Sequence, residues 1–210
     1  MDSSRDEAIT ALREHVQSMH DTREKLLSEC RKLGQLAAKS IRHVHRHQFA
    51  EAEALLAQAQ TLAVAARVMM SGHPELNTAY LHDTEKEMVE AAAVLAIVQD
   101  RPLPTPTELG AGTMAYLHGM GEAASEVRRF ALDLMRAGNL SEATRILEVM
   151  ESIYEELITF DYSDSLTNGL RRCCDSLRAV IERTRSDLTV TASQQALVDE
   201  LRRMRGKDES

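Results

Sequence analysis

The chain has 210 residues, of which 43% are apolar, enough to bury a sizeable core within the usual size of one domain. Only 3% of the residues are aromatic and four are prolines, so the signature of a β-rich protein is missing and an all-α fold is predicted. The 25 Lys and Arg residues against 33 Asp and Glu residues give a net charge of −8, which argues against a protein that coats nucleic acid by bulk positive charge. Any nucleic-acid site must be a local patch.

The first predicted helices fill the N-terminal half. From Ser4 to about His47, apolar residues recur at steps of three, four and seven, which indicates one long amphipathic helix. A second segment, Phe49–Met70, is rich in Ala, Leu and Glu and ends at Ser71-Gly72-His73-Pro74, where Gly and Pro stop a helix. A third helix is predicted from about Glu75 to Gln99.

A proline-rich loop precedes the remaining helices. Residues 100–106 contain three prolines, which remove amide donors and favour extended geometry in the preceding residues. The later helices are predicted over Thr113–Arg136, Glu142–Phe160, Ser163 or Asp164 to about Thr184, and Gln194–Arg205. The sequence therefore predicts six or seven helices in a single domain over residues 1–210, with a frayed tail at 206–210.

Cysteine usage and the first residues bear on the cellular location. Cys30, Cys173 and Cys174 match neither a disulfide framework nor the paired spacing of a zinc site, which fits a reducing cytoplasm. The N-terminal segment carries charges where a signal peptide needs an apolar stretch, and no apolar run approaches the roughly 18 residues of a membrane span. We therefore predict a cytoplasmic protein with no membrane contact.

Two pairs of glutamates stand out on the third and fourth predicted helices. Glu87 and Glu90 lie three residues apart and Glu122 and Glu126 four apart, so each pair projects from one helical face. Their neighbours are small or apolar, and like charges near an apolar surface need a compensating cation. Oxygen ligands suit Mg²⁺ or Mn²⁺, which can activate a water and stabilise charge in phosphodiester hydrolysis. The alternative is that both pairs lie on ordinary solvated helix faces.

Several blocks in one order resemble the translin family, over about Thr22 to Val190. The blocks are Arg31–Arg46, Lys86–Ala91, Tyr116–Arg129 and Ile181–Thr189. The family has two branches, namely translin proper, which binds single-stranded nucleic acid, and translin-associated factor X, which carries the nuclease carboxylates. Single-subunit archaeal or bacterial relatives of the factor X branch resemble this chain most.

This resemblance implies a fold, an activity and an assembly. The expected fold is a six- to seven-helix translin-like bundle. In the factor X branch, the positions that match Glu87, Glu90, Glu122 and Glu126 supply the catalytic carboxylates, although the family commonly has Asp where Glu122 stands and Gly where Ser125 stands. The resemblance thus implies an endoribonuclease that uses Mg²⁺ or Mn²⁺ to cut single-stranded RNA within a hollow homo-oligomer, an octamer in the family. The alternatives are a non-catalytic oligomer that binds single-stranded RNA or DNA, and a purely structural scaffold.

Local basic groups are the candidate nucleic-acid ligands. Arg42, His45 and Arg46 lie at the end of the first helix, and Arg128 and Arg129 follow the second acid pair. All five can meet phosphates through charge-assisted hydrogen bonds. The first group could instead interact with the C-terminus of its helix, and the later arginines could neutralise neighbouring acids.

Overall fold

The computed structural model describes residues 3–76 and 79–208, and this part of the chain is helical without β-strands, so the all-α prediction is confirmed. The helices are α1 Ser3–Val44, α2 Phe49–Ser71, α3 Ala79–Val98, α4 Pro106–Leu109, α5 Thr113–Glu126, α6 Arg128–Arg136, α7 Leu140–Leu157, α8 Asp164–Thr167 and α9 Leu170–Asp208. Since α4 and α8 are four residues long, seven of these described helices exceed a single turn, as predicted.

The N-terminal helices follow the predicted bounds closely because their stop signals are local. Helix α2 ends at Ser71, directly before Gly72. Helix α3 begins at Ala79, later than the predicted Glu75, and residues 77–78 lie outside the described part of the chain. The proline-rich segment forms the predicted loop and ends in a capping box, in which the Thr105 side chain accepts from the Glu108 amide and the Glu108 carboxylate accepts from the Thr105 amide.

Two predicted bounds in the C-terminal half are wrong. The helix predicted over Thr113–Arg136 is divided at Val127 into α5 and α6. The break predicted between about Thr184 and Gln194 is missing, because α9 runs without interruption from Leu170 to Asp208 and extends into the segment expected to fray. Hydroxyls that usually weaken a helix are satisfied inside α9, where each donates to the carbonyl four residues earlier. These donors are Thr189, Thr191 and Ser193, which donate over 2.8, 2.7 and 2.9 Å.

The chain divides into two compact units. Unit 1 comprises Met1–Ala91 and Thr105–Tyr116, and unit 2 comprises Ala92–Pro104 and Leu117–Ser210. Helices α3 and α5 therefore contribute residues to both units. A compact unit is not necessarily an independently folding domain, so the single-domain assignment stays a prediction.

The core of unit 1 lies between α1 and α2. Small residues on α2 let the two helices approach closely, and a buried hydroxyl links them, since the Oγ atom of Ser40 donates to the Ala52 carbonyl over 3.0 Å. The buried apolar residues of this pair are Leu26, Cys30, Leu33, Ala37 and Val44 on α1 and Ala52, Leu56, Ala59, Ala63 and Ala66 on α2. Residues 4–18 of α1 are exposed throughout, including the apolar side chains of Ile9, Leu12 and Val16.

The core of unit 2 lies among α6, α7 and α9. The largest fully buried side chains of unit 2 are Ile97 on α3, Ile146, Met150 and Ile153 on α7, and Leu170 and Leu177 on α9. The C-terminal part of α9 keeps several apolar side chains exposed, namely Val190, Leu197, Val198, Leu201 and Met204. Over residues 3–76 and 79–208, no helix combines the length and the apolar character that a membrane crossing requires.

Candidate active site

The first acid pair lies on α3, within unit 1. Glu87 and Glu90 are half-buried, and the residues between and beside them, Met88, Val89 and Ala91, are fully buried. The helix thus turns an apolar face inward and holds both carboxylates at the edge of that face. This placement confirms that the pair is not on a fully solvated surface.

Glu87 lies unusually close to the backbone of α1. A Cβ atom built on Gly34 would be 2.9 Å from Oε2 of Glu87 and 3.5 Å from Cγ2 of Thr84. Real Cβ contacts under about 3.0 Å are essentially never seen, so any other residue at position 34 requires the carboxylate to move. The Glu87 carboxylate therefore lies beside the position that a side chain at residue 34 would occupy.

A buried ion pair next to this acid pair was not predicted. The Oε2 atom of Glu85 accepts from Nη2 of Arg67 over 2.5 Å and from the amide of Gly112 over 3.1 Å. Glu85 is 2% exposed, whereas the Arg67 side chain is 42% exposed. The contact joins α2, α3 and the residue before α5, all within unit 1. Glu85 therefore fixes the start of α5 relative to the helix that carries Glu87 and Glu90.

Sequence periodicity contained a signal for Glu85. It follows Leu81 by four residues and precedes Met88 by three, and both of these residues are buried. A charged residue at a position of the inward face needs a partner, because burial of an unpaired charge is costly. Its neighbours Lys86 and Glu87 make the segment look like a solvated run of charges, which concealed it.

The second acid pair lies on α5, within unit 2. Glu122 and Glu126 are half-buried, and Ala123 and Ala124 between them are fully buried. Close packing fixes this helix: a Cβ atom on Gly121 would be 2.6 Å from Sγ of Cys173 and 3.3 Å from Cδ1 of Leu157.

A side-chain contact also holds α5 from its N-terminal side. Nε2 of His118 donates to the Thr167 carbonyl over 2.9 Å and ties α5 to α8. Within unit 2, the acid pair thus lies on a helix that is close to three neighbours, α7, α8 and α9.

The basic candidates differ in their availability. Arg42 and Arg46 are exposed and have no ion pair within the described residues, and His45 is half-buried in the turn that follows α1. Arg129 is likewise exposed. These placements leave the predicted contacts with nucleic acid possible, and the contacts themselves stay a prediction.

Arg128 has structural partners that the sequence did not indicate. Its Nη1 donates to Oγ1 of Thr184 over 2.8 Å and its Nη2 to Oδ2 of Asp187 over 2.7 Å. The side chain is 24% exposed and links α6 to α9. Arg128 thus neutralises an acid on α9, and a role in nucleic-acid binding would compete with this contact.

The four glutamates suit a hard divalent cation in the chemistry of their donors. Carboxylate oxygens are the ligands that Mg²⁺ and Mn²⁺ prefer, and the space beside Gly34 is one that a Cβ atom would fill. Each pair by itself supplies two carboxylates, and within either unit the described residues gather no group of three or more potential metal-ligating His, Cys, Asp or Glu side chains. A shared four-acid site stays a prediction.

Comparison with solved structures decides the family. AfC3PO, from Archaeoglobus, in a structure of its duplex RNA complex, matches this chain with a TM-score of 0.85 and 32% sequence identity, covering 90% of this chain and 98% of AfC3PO. C3PO of this kind is similar to translin and to translin-associated factor X. This chain belongs to the translin family. The resemblance stated from the sequence blocks is confirmed.

Other comparisons agree with this membership. A second AfC3PO structure matches this chain with a TM-score of 0.84 and 32% sequence identity, covering 90% of this chain and 99% of AfC3PO. Apo-NeC3PO gives 0.79 at 21% identity, covering 87% of this chain and 96% of NeC3PO, and supports the fold alone. No family model matches the sequence.

A curated relative extends the comparison at the sequence level. An uncharacterized protein of Methanocaldococcus jannaschii is 33% identical over 126 residues. The match covers 60% of this chain and 56% of the length of that relative.

Proposed function

We propose that this translin-family chain is a metal-dependent endoribonuclease that cuts single-stranded RNA within a hollow homo-oligomer, with Glu87, Glu90, Glu122 and Glu126 as the ligands of Mg²⁺ or Mn²⁺. The observation that carries the proposal is that all four positions are acidic and that each acid is half-buried on a face with fully buried neighbours. A protein that only binds RNA gains nothing from carboxylates that repel phosphate.

RNA binding is proposed from the relatives and from the exposed cations. AfC3PO is known in a complex with duplex RNA. Arg42, His45, Arg46 and Arg129 are the candidates to donate charge-assisted hydrogen bonds to phosphates in this proposal. Arg128 is a fifth candidate, whose present partners are Thr184 and Asp187. Such contacts hold the backbone of RNA without reading its sequence.

The chemistry follows from the acids and the cations. A divalent cation bound by the four carboxylates would favour ionisation of a water and stabilise negative charge on the phosphate during hydrolysis. The four carboxylates would bind the cation, and one of them would orient the attacking water. The arginines orient the scissile phosphate, and the half-buried setting limits the access of bulk water to the reacting groups.

A cleavage assay tests the proposal. Labelled single-stranded RNA and a matched duplex are incubated with Mn²⁺, with Mg²⁺ or with EDTA, and we expect cutting of the single strand only when metal is present. Glu90→Gln and Glu126→Gln should each reduce the cleavage rate roughly a hundredfold or more, because even residues that only support a metal ligand contribute up to about a hundredfold. Glu155→Gln on α7 is the matched control, since it removes the same charge from an exposed position.

A non-catalytic RNA-binding oligomer is the second candidate, and the known RNA complex of AfC3PO favours it. It predicts binding of labelled RNA in EDTA and no cleavage under any metal condition. Undiminished cleavage by both active-site variants would contradict the site assignment. Light scattering tests the assembly, because a mass near 23.4 kDa at micromolar concentration would contradict a homo-oligomer.

A further inference from the structure

Gly34 lies in the interior of α1, a helix of 42 residues. Glycine there is unfavourable in itself, because it loses more backbone entropy on folding than alanine does. What distinguishes this position is that an added Cβ atom would lie 2.9 Å from Oε2 of Glu87. The next atoms, Cγ2 of Thr84 at 3.5 Å and Cδ of Glu87 at 3.9 Å, are at ordinary van der Waals distances.

We propose that Gly34 is a positioning residue for Glu87, because the space left by its missing side chain sets where the Glu87 carboxylate lies and hence how it binds the cation. The inference rests on the proposed function, in which Glu87 is a metal ligand. It adds a residue on α1 to the acid pair on α3, and both lie within unit 1.

A role in helix packing alone would involve different neighbours. When a glycine permits two helices to pack, the closest atoms belong to the backbone or to a firmly packed side chain. The closest atom to Gly34 is the far end of a flexible glutamate, which can rotate away without moving α1 or α3. An added methyl group should therefore change the direction of the carboxylate and leave the helices in place.

The test compares the Mn²⁺ dissociation constant, measured by calorimetry, with thermal stability in EDTA. Gly34→Ala should weaken Mn²⁺ binding roughly tenfold to a hundredfold, the range seen when groups that orient metal ligands are altered. The same variant in EDTA should melt no lower than wild type, because alanine favours the helix. Gly72→Ala is the matched control, since a Cβ atom there would meet only the Met69 carbonyl at 3.7 Å and should leave the dissociation constant unchanged.

A double-mutant cycle shows whether Gly34 acts through Glu87. Glu87→Asp shortens the side chain by one methylene and withdraws the carboxylate from α1. In that background, Gly34→Ala should change the dissociation constant by no more than about twofold, because the contact it would disturb is already gone. An equal loss in both backgrounds would overturn the proposal.

The remaining outcomes separate this inference from the proposed function. If Glu87→Gln weakens Mn²⁺ binding and Gly34→Ala does not, the positioning role is overturned and the nuclease proposal stands. If wild type does not bind Mn²⁺, or Glu87→Gln binds it as wild type does, the metal site itself fails. Should Gly34→Ala give no soluble protein, recovery of the fold in the Gly34→Ala/Glu87→Asp variant supports the contact, and failure to recover overturns it.

Discussion

At two helical glycines, Gly34 in unit 1 and Gly121 in unit 2, an added Cβ atom would lie closer than 3.0 Å to a neighbouring atom, but the neighbours differ. At Gly34 the neighbour is the carboxylate end of Glu87. At Gly121 the neighbours are Sγ of Cys173 at 2.6 Å and Cδ1 of Leu157 at 3.3 Å. The neighbour of Gly34 is the end of a flexible polar side chain, whereas the neighbours of Gly121 are a thiol on a short side chain and a buried leucine.

The effect of replacing a glycine therefore depends on which atom lies nearest to the position of its absent Cβ atom. A methyl group at residue 34 displaces the Glu87 carboxylate, the proposed metal ligand, and should alter metal binding. A methyl group at residue 121 meets packed atoms that cannot easily withdraw, and should alter stability. In unit 1, the position of the Glu87 carboxylate can thus change with little loss of stability. In unit 2, the helix that carries the acid pair is fixed by packing.

The largest expected effect concerns the scaffold of unit 1. Arg67→Ala leaves the Glu85 carboxylate, which is 2% exposed, without its cation, and removing one partner so that a buried charge is left unpaired typically costs about 3–5 kcal/mol of unfolding free energy. Urea denaturation measures it. Asp187→Ala in unit 2 is the comparison variant, and because Asp187 is 45% exposed we expect a loss of at most about 1 kcal/mol. Equal losses would show that burial does not distinguish the two ion pairs.

The effect of Mn²⁺ on the free energy of unfolding tests whether the four glutamates bind a metal ion. Mn²⁺ at about a hundredfold excess over its dissociation constant should stabilise the native chain by roughly 2.7 kcal/mol, if it binds only the folded state. The quadruple Glu→Gln variant at positions 87, 90, 122 and 126 should lose this gain and be at least as stable as wild type in EDTA, since the mutual repulsion is removed. Thermal melting with and without Mn²⁺ checks both expectations. Identical responses of the two proteins would mean that these acids form no ion site.

Gly121→Ala should destabilise the chain by about 1–3 kcal/mol, the usual cost of inserting a methyl group into a packed region. Cys173→Ala removes the closest atom, so the double variant should recover most of the loss in urea denaturation. The contrast between the glycines fails if Gly121→Ala is as stable as wild type, or if Gly34→Ala shows the same loss in EDTA.

The smallest expected effect is a pH dependence within unit 2. The hydrogen bonds from Arg145 hold the pKa of the Glu142 carboxyl below its ordinary value of 4.5. Because the pKa is lower in the folded state, the stabilisation is present above the unfolded pKa and is lost as the pH falls through the folded pKa. The side chains are partly exposed, so the contribution should be below about 1 kcal/mol. Urea denaturation from pH 7 to pH 3 should show a smaller acid loss for Glu142→Gln than for wild type, and the exposed Glu148→Gln should behave as wild type does.

The sequence predicted the fold where the determinants of structure are local. Helices α1 and α2 follow from apolar periodicity and from the stop at Gly72. The continuity of α9 did not follow, because the preference of isolated Ser and Thr residues for helix ends is overridden when their hydroxyls bond to carbonyls of the same helix. The division at Val127 also escaped prediction, since neither Gly nor Pro marks it.

The site was predictable in its residue types and not in its surroundings. Spacing placed Glu87 and Glu90 on one face, and the family resemblance supplied their expected role. The Arg67–Glu85 pair and the contact between Gly34 and Glu87 join residues on different helices, so they depend on which helices pack together and in what register. Arg128 shows the same limit, because its partners on α9 are 56 and 59 residues away in the sequence.

The N-terminal third of α1 has a kinetic consequence. Residues 4–18 are exposed on every side, and an isolated helix of roughly this length is only marginally stable in water. In a monomer, its backbone amides should exchange with deuterium far faster than those around Leu33 and Ala37, which are fully buried. Slow deuterium exchange of the amides of residues 4–18 would therefore mean that another surface covers them. The exchange rate of this segment thus reports whether the chain has assembled with a partner.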